Sequence, residues 1–402
     1  MPLHYLKRNF ISPILEFIHD SRAIGIMILS CALISMIIAN SPWGTPYISF
    51  FETGLHISQW LPHSLLHWIN DGLMAIFFLL AGMEIKRELL EGELSSLKKS
   101  ILPVMGAIGG MLVPALIYSI FNAESKVASG WGIPMATDIA FSLGVASLLG
   151  DKVSLGLKIF LTALAIIDDL GAILAIAIFY TSTLKLKYLI AAFILYAIMV
   201  AWTTLKKPFG WWNIAGGVIL WLLIFNSGIH ATVSGVLFAF TIPQHRLIVW
   251  ENKLHHSVNF IIIPLFVLSN TAIAIPNGFF SNLMSPLGIG IIAGLLIGKP
   301  LGIVSFCWLT VRFKFGALSG GMNWRQLTGL GILASIGFTM SIFISMLALE
   351  DNQLQDISKT SVMIASVIAI LLSYLWFKWI IPTKIKIIDQ NISQTDPLRN
   401  PN

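Results

Sequence analysis

Two adjacent aspartates, Asp168 and Asp169, lie in a stretch (residues 158–180) that is otherwise apolar enough to form a membrane-buried helix. A carboxylate at bilayer depth costs at least about 2.5 kcal/mol even on the most lenient insertion scale. Two such residues in succession therefore predict a function, which is binding of a cation, transfer of protons, or both. Carboxylate oxygens suit both tasks, because they bind hard cations and also accept protons.

Neighbouring residues on a helix point about 100° apart, so Asp168 and Asp169 cannot both face one small site directly. One is expected to face the path of the cation and the other a neighbouring helix. Na⁺ or Li⁺ would compete with protons for these oxygens. Further oxygen ligands are expected from Thr137 and from backbone carbonyls at a helix break.

Lys299 precedes Pro300 well inside another apolar run. A buried lysine needs an anionic partner or must lose its proton. We expect Asp168 to be that partner, rather than Asp169, or expect Lys299 to compensate the negative end of a half-helix. The alternative is that its side chain extends to the membrane surface.

Candidates for a pH response are polar residues at the ends of apolar runs: Glu84, Arg87, Glu88, Glu251, His255 and His230. The first three share one helix face, because their spacings are three and four residues. Histidine titrates near neutrality, so a pH-sensing mouth is one interpretation. The other is that these are ordinary solvated helix ends and that His230 is simply a hydrogen-bonded buried histidine.

The composition places these residues in a membrane protein, since 56% of the residues are hydrophobic and only 11% are charged. A soluble domain averages about 25% charged residues. Apolar runs of about 20 residues recur along nearly the whole chain. They predict an all-α polytopic membrane protein with about twelve transmembrane helices, centred near residues 31, 78, 111, 137, 167, 195, 217, 235, 262, 300, 338 and 370.

The fourth and eleventh predicted helices are interrupted, by Gly130 to Asp138 and by Gly329 to Ser341. Each would be the middle helix of a three-helix unit, at residues 100–180 and 289–381. Breaks at corresponding positions of two halves mark the binding site of many secondary transporters. If the units are inverted repeats, the two broken helices cross near the midplane, where Asp138 could neutralise the positive end of a half-helix. The alternative is a simple proline kink.

The distribution of Lys and Arg between alternate loops predicts that both termini are cytoplasmic. One side holds Lys126, Lys185, Lys187 and Lys359. The other holds Lys7, Arg8, Arg22, Lys86, Arg87, Lys98, Lys99, Lys152, Lys158, Lys206, Lys207, Arg246, Lys253, Arg312, Lys314, Arg325, Lys378, Lys384, Lys386 and Arg399. This asymmetry accounts for the net charge of +6, so no nucleic-acid partner is needed to explain it.

Residues 1–383 are interpreted as one integral membrane domain. Residues 8–20 suggest a short amphipathic helix at the membrane surface. Residues 46–60 suggest an extracytoplasmic β-hairpin that pairs with a second protomer, or else an irregular loop. The polar tail, 384–402, is predicted to be disordered. Motifs for zinc, nucleotides or a catalytic nucleophile are missing from the sequence, which predicts no enzyme activity and no cofactor.

Several segments in the same order resemble the bacterial NhaA-type Na⁺/H⁺ antiporters over residues 20–380. They are the segments at 70–88, 136–141 (Ala-Thr-Asp-Ile-Ala-Phe), 163–171 (Ala-Leu-Ala-Ile-Ile-Asp-Asp-Leu-Gly), 296–302 and 337–344. Inverted three-helix repeats are a known property of this family, so the resemblance and the predicted repeat are not independent.

The resemblance implies twelve helices with crossed, broken fourth and eleventh members, and a cation and proton site at Asp168 and Asp169. It implies that Asp138 and Lys299 balance the charges of the crossing. It also implies a dimer and a cytoplasmic pH-responsive region. One departure concerns that region: the family's Glu-His pair in the ninth helix is Glu251-Asn252 here.

The predicted function is therefore an electrogenic, pH-regulated antiporter of the inner membrane that expels Na⁺ or Li⁺ in exchange for protons. The alternative is another ion-coupled carrier, such as a sodium–solute symporter. A passive channel fits less well, because few ionisable residues lie at depth for a continuous polar pore.

Overall fold

A computed structural model describes residues 21–55, 58, 60–181, 183–275, 278–318 and 322–380. The predicted amphipathic segment, 8–20, and the tail, 384–402, lie outside these residues. Within them the chain forms twelve helical spans. They are Ser21–Ala39, Leu65–Leu90, Leu97–Asn122, Ala128–Leu148, Leu155–Phe179, Leu186–Thr204, Trp211–Ser227, Val233–Thr241, 244–270, Pro286–Arg312, the pair Trp324–Ala334 and Phe338–Ala348, and Asn352–Trp379.

Eight of these helices are long and apolar enough to cross a membrane by themselves, and the bent eleventh span makes a ninth. The seventh is apolar but has 17 residues, the eighth has nine, and the ninth opens with the polar helix Gln244–Ser257. All twelve predicted centres fall inside the twelve spans, so the predicted all-α membrane architecture is confirmed.

The third to fifth and the tenth to twelfth spans form two matching units, each with a broken middle span between two long helices. Six spans lie between the third and the tenth, so these two run in opposite directions, and one unit is inverted relative to the other. These two spans pack at very short range through Gly109 and Gly302. A Cβ atom added to either glycine would lie about 2 Å from the other's carbonyl oxygen, at 2.2 and 2.0 Å respectively. Small residues permit such close helix packing in membranes.

Wide π-helical turns interrupt the ninth and tenth spans at Val258–Ile262 and Gly294–Gly298. Each lies just before a proline, Pro264 or Pro300. Proline lacks an N–H group, and its ring clashes with the carbonyl four residues earlier, so a widened turn relieves the conflict. In the tenth span this turn ends immediately before Lys299.

The predicted β-hairpin at 46–60 is wrong. Residues Gly44–Glu52 form a helix instead, and the extended pairing that remains is one isolated antiparallel bridge between Gly54 and Ser64. Tyr47 and Phe51 are four residues apart, and their rings pack edge to face with centroids 5.3 Å apart. The aromatic spacing therefore follows the helical period, although the β-branched and aromatic composition had suggested a strand.

Candidate functional site

The broken fourth and eleventh spans meet at their breaks. The fourth span consists of a 3₁₀ segment, Ala128–Met135, and an α-helix, Ile139–Leu148. The two halves of the eleventh are bent by 50° relative to each other. Between the spans, the backbone N–H of Asp138 donates to the carbonyl oxygen of Ile336 at 2.7 Å. The predicted crossing is therefore confirmed over a simple proline kink.

Asp138 caps half-helices of both crossed spans. Its Oδ1 accepts a hydrogen bond from the backbone N–H of Phe141 at 3.0 Å, within its own span. Its Oδ2 accepts one from the backbone N–H of Thr339 at 3.0 Å, and also one from the Thr339 hydroxyl. Both N–H groups belong to first turns, which have no helical acceptors of their own. One carboxylate thus lies at the positive ends of two half-helices.

Asp168 and Lys299 form a buried ion pair beside this crossing. Lys299 Nζ lies 3.0 Å from Asp168 Oδ2, and the side chains of both residues are 0% exposed. The ammonium also donates to the carbonyl oxygen of Met135, at the end of the 3₁₀ segment. Lys299 thus has both predicted partners, Asp168 and the negative end of a half-helix. The alternative, that its side chain extends to the membrane surface, is excluded by its complete burial.

Thr137 joins the ion pair to the eleventh span. Its hydroxyl lies 2.6 Å from Asp168 Oδ2 and 3.1 Å from the carbonyl oxygen of Ala334, which is the last residue of the first half-helix. The hydroxyl has one proton and can donate to only one of these acceptors at a time. Asp168, Thr137 and Lys299 are therefore brought together as the sequence predicted.

Asp169 faces a different environment from Asp168. It lies on the wall of a cavity of about 430 Å³, which we call the funnel, between the first, second, fourth, fifth and ninth spans. Polar residues also line this funnel: Glu84, Arg87, Thr162, Asn252, His255, His256 and Asn259. Asp168 is 1% exposed and Asp169 is 5% exposed. Asp169 thus faces a cavity, whereas Asp168 faces Lys299 of a neighbouring span.

Each aspartate keeps one carboxylate oxygen without a hydrogen-bond partner among the described residues. These atoms are Asp168 Oδ1 and Asp169 Oδ1. A buried acceptor without a partner is costly, which makes such atoms candidates for binding a proton or a cation. The donor set is made of hard oxygens, as Na⁺ and similar ions prefer.

Most of the predicted pH-response candidates lie together beside the funnel, in a cluster that we call the funnel mouth. Arg87 Nε lies 3.2 Å from Glu251 Oε1, and Arg87 Nη2 lies 3.7 Å from Glu88 Oε1. Glu84 and His255 line the same cavity. Asn252, the departure from the family pattern, lines it as well. These residues form a mixed cluster of charged and titratable groups around the entrance.

His230 does not belong to this cluster. Its Nε2 lies 3.2 Å from Asp71 Oδ1, and its Nδ1 lies 2.9 Å from the Thr232 hydroxyl. Asp71 and Glu84 are thirteen residues apart on the second span, which corresponds to about 20 Å. Asp71 itself lies in a π turn, Trp68–Leu73, and its carboxylate pairs with His230.

Three contributors to the site were not identified from the sequence: Thr339, the carbonyl oxygen of Met135 and Asn259. Thr339 lies within the segment at 337–344 but was not singled out. A backbone carbonyl carries no sequence signal. Asn259 contacts the ring of His255, four residues earlier, at 3.1 Å, and the helical spacing could have indicated that contact.

Comparison with known proteins identifies the family of this chain. The family model described as Na⁺/H⁺ antiporter 1 matches residues 15–377. The chain belongs to this Na⁺/H⁺ antiporter family.

Individual relatives agree over most of their length. The Na⁺/H⁺ antiporter NhaA 2 of Flavobacterium johnsoniae is 47% identical over 364 residues, which cover 88% of this chain and 89% of the relative. The NhaA antiporter of Cytophaga hutchinsonii is 44% identical, covering 90% and 94%. That of Shewanella loihica is 40% identical, covering 92% and 97%. The predicted resemblance to the NhaA-type antiporters is confirmed.

Proposed function

We propose that this protein exchanges Na⁺ for H⁺ across the bacterial inner membrane, with Asp168 and Asp169 as the cation and proton site. The observation that carries the proposal is a pair of adjacent buried carboxylates, each with an oxygen that has no hydrogen-bond partner among the described residues, of which Asp169 lines the polar funnel. Relatives of similar length are named Na⁺/H⁺ antiporters, and this supports the same activity here.

The geometry supports a sequence of steps for loading the site. Na⁺ enters the funnel and first meets Asp169, which lies on its wall. A cation between Asp168 and Asp169 displaces protons from the carboxyl groups and weakens the hold of Asp168 on the Lys299 ammonium. The ammonium stays satisfied because it already donates to the Met135 carbonyl. Thr137 can turn its hydroxyl towards Ala334 and free an Asp168 oxygen for the ion.

Transport then requires the loaded site to open to the opposite side. The crossed half-helices meet through a few hydrogen bonds, so relative movement of the two groups of helices can expose the aspartates on either side. If two protons enter for each Na⁺ that leaves, every cycle moves net charge, and exchange is electrogenic. Li⁺ is proposed as a second substrate, since it prefers the same oxygen ligands.

The distribution of basic residues supports an orientation with the funnel and both termini on the cytoplasmic side. Lys86 and Arg87 lie beside the funnel mouth, whereas Lys185, Lys187 and Lys359 belong to the other side. Export of Na⁺ requires the cation to enter from the cytoplasm. The orientation and the direction of transport therefore agree.

The cluster at the funnel mouth supports regulation by pH. Arg87 forms ion pairs with Glu88 and Glu251, and Glu84 and His255 line the same cavity as Arg87. A proton gained by one of these residues therefore changes the electrostatic field at the others. His230 lies with Asp71, on the other side of the molecule, and is proposed to affect pH dependence separately.

The proposed homodimer no longer rests on a hairpin. The segment expected to form the contact contains the helix Gly44–Glu52, with Trp43 and Phe50 exposed on it. These two rings offer apolar area for a second protomer. Cross-linking across this helix in membranes would test the contact.

The experiment that tests the function uses purified protein in liposomes with an acid interior, reported by a trapped dye. Na⁺, Li⁺, K⁺ and choline are added separately at several pH values. We expect Na⁺ and Li⁺ to collapse the gradient and K⁺ and choline to leave it intact. A folded protein that gives no collapse with any cation would refute the proposal. Uptake that requires an organic solute would favour the sodium–solute symporter.

A further inference from the structure

Two tyrosines from neighbouring spans hold the 3₁₀ segment of the fourth span by its backbone. Tyr180, which ends the fifth span, donates from its hydroxyl to the carbonyl oxygen of Ser129 at 2.8 Å. The same hydroxyl accepts from the backbone N–H of Gly132 at 3.2 Å. Tyr118, in the third span and fully buried, donates to the carbonyl oxygen of Val127 at 2.6 Å.

The glycines of this segment make room for the tyrosines. A Cβ atom on Gly132 would lie 2.6 Å from the Tyr180 hydroxyl oxygen, and one on Gly130 would lie 2.3 Å from that of Tyr118. Contacts this short are not found for real Cβ atoms, so each glycine is needed for its hydroxyl to reach the backbone. Between the glycines, the Trp131 ring packs edge to face on Phe179, with centroids 5.1 Å apart.

The segment held in this way ends at Met135, whose carbonyl oxygen accepts from Lys299. Met135 comes three positions after Gly132, which is one turn of 3₁₀-helix, so a shift of Gly132 is passed on to the Met135 carbonyl through a single turn. The carbonyl is the second partner of Lys299, beside Asp168. The place of the 3₁₀ segment therefore sets how easily the ammonium can leave Asp168.

We infer that Tyr118 and Tyr180 are positioning residues that set the apparent affinity for Na⁺ by fixing the Met135 carbonyl against Lys299. The inference rests on the proposed Na⁺/H⁺ exchange at Asp168 and Asp169. When a tyrosine hydroxyl is lost, the carbonyl is less well placed, and the ammonium remains longer on Asp168. Na⁺ must then compete harder for the carboxylate, which raises the apparent KM for Na⁺.

The experiment compares the Tyr180→Phe and Tyr118→Phe variants with the wild type in the liposome assay. The apparent KM for Na⁺ should rise about three- to tenfold in each, in line with the loss of one or two hydrogen bonds, with maximal rate changed less than twofold. The matched control is Tyr196→Phe in the sixth span, because no hydrogen bond of that hydroxyl is present among the described residues. It should behave as the wild type.

A second variant separates positioning from general loss of structure. Gly132→Ala should raise the KM as much as Tyr180→Phe does, because its Cβ displaces the hydroxyl. The double variant Gly132→Ala with Tyr180→Phe should be no worse than Gly132→Ala alone, since the nearest remaining ring atoms lie at 3.4 Å. Additive effects in this pair would overturn the shared mechanism.

Other outcomes are also decisive. An unchanged KM in both tyrosine variants, with active wild type, would overturn the inference and leave the proposed function standing. A lower thermal midpoint with an unchanged KM would assign the tyrosines to stability alone. Inactive wild type would instead refute the exchange on which the inference depends.

Discussion

At the scale of residues, the site depends on charges that water does not reach. Bringing Asp168 and Lys299 into a bundle costs each ion several kcal/mol of hydration, and their attraction repays that cost only with good geometry and additional hydrogen bonds. Thr137 and the Met135 carbonyl supply those bonds. The net stabilisation of the ion pair is therefore small, so a competing cation can weaken it at a modest cost in free energy.

The first prediction concerns the two aspartates. Asp168→Asn and Asp169→Asn should each abolish Na⁺-dependent collapse of the proton gradient, because an amide neither ionises nor exchanges a proton. Both variants should still insert in the membrane. Asp356→Asn is the matched control, because that carboxylate also pairs with a lysine but lies outside the site. Its Oδ1 is 3.7 Å from Lys359 Nζ. Normal exchange in either site variant would contradict the assignment.

The second prediction concerns Lys299. Lys299→Ala leaves Asp168 buried without its cation, and breaking such a pair costs about 3–5 kcal/mol. We expect a lower thermal midpoint or an altered number of protons per Na⁺, rather than simple loss of cation binding. Lys359→Ala should change stability alone. If Lys299→Ala melts as the wild type does and also keeps its stoichiometry, Lys299 does not have the proposed role.

At the scale of elements, broken and widened helices place polar groups inside an apolar bundle. The breaks in the fourth and eleventh spans expose backbone N–H and carbonyl groups that lipid cannot satisfy. Side chains of the other broken span satisfy them, as Asp138 does for Thr339. The π turn before Pro300 ends next to Lys299, so this widened turn also places a polar group inside the bundle.

The third prediction belongs to this scale. Asp138→Ala removes the acceptor for first turns in two half-helices, so its cost should be about twice that of one helix cap, about 2–4 kcal/mol in total. Asp351→Ala is the control, because Asp351 caps only the twelfth span, through Gln353 and Leu354, at an exposed position. Thermal unfolding in detergent measures both. Equal losses of stability would show that the second half-helix gains nothing from Asp138.

At the scale of the whole molecule, the funnel has Asp169 on its wall together with Glu84 and Arg87, and these charges act on Asp169 through space. Glu251 and Arg87 carry opposite charges at that mouth and lie 3.2 Å apart. Removing either one alters the potential throughout the cavity without touching the two aspartates.

The fourth prediction follows from these opposite charges. Glu251→Gln makes the funnel less negative, so protons bind its carboxylates less tightly and half-maximal exchange should move to lower pH. Arg87→Gln should move it to higher pH. Each shift should be about half a pH unit at low salt and smaller at high salt. Exchange rate against pH measures both, and shifts of the same sign would exclude this electrostatic explanation.

The sequence by itself determined the membrane class and the number of spans, and it indicated most residues of the candidate site. Charges such as Asp168, Asp169 and Lys299 are conspicuous in apolar runs, because lipid tolerates few of them. The breaks were visible through glycine and proline, whose backbone effects are local. The short helix Gly44–Glu52 was wrongly predicted as part of a β-hairpin. In only nine residues, the composition does not distinguish the two-residue period of a strand from the helical period of about four residues.

Only the tertiary structure decided which groups meet. Sequence could not assign Asp138 to two half-helices, because Thr339 comes from a span about 200 residues away. It could not separate His230 from the funnel mouth, since the two lie on opposite sides of the bundle. Nor could it reveal the Met135 carbonyl or the two tyrosines that hold its segment. Backbone groups have the same chemistry at every position, and only packing determines which of them a side chain reaches.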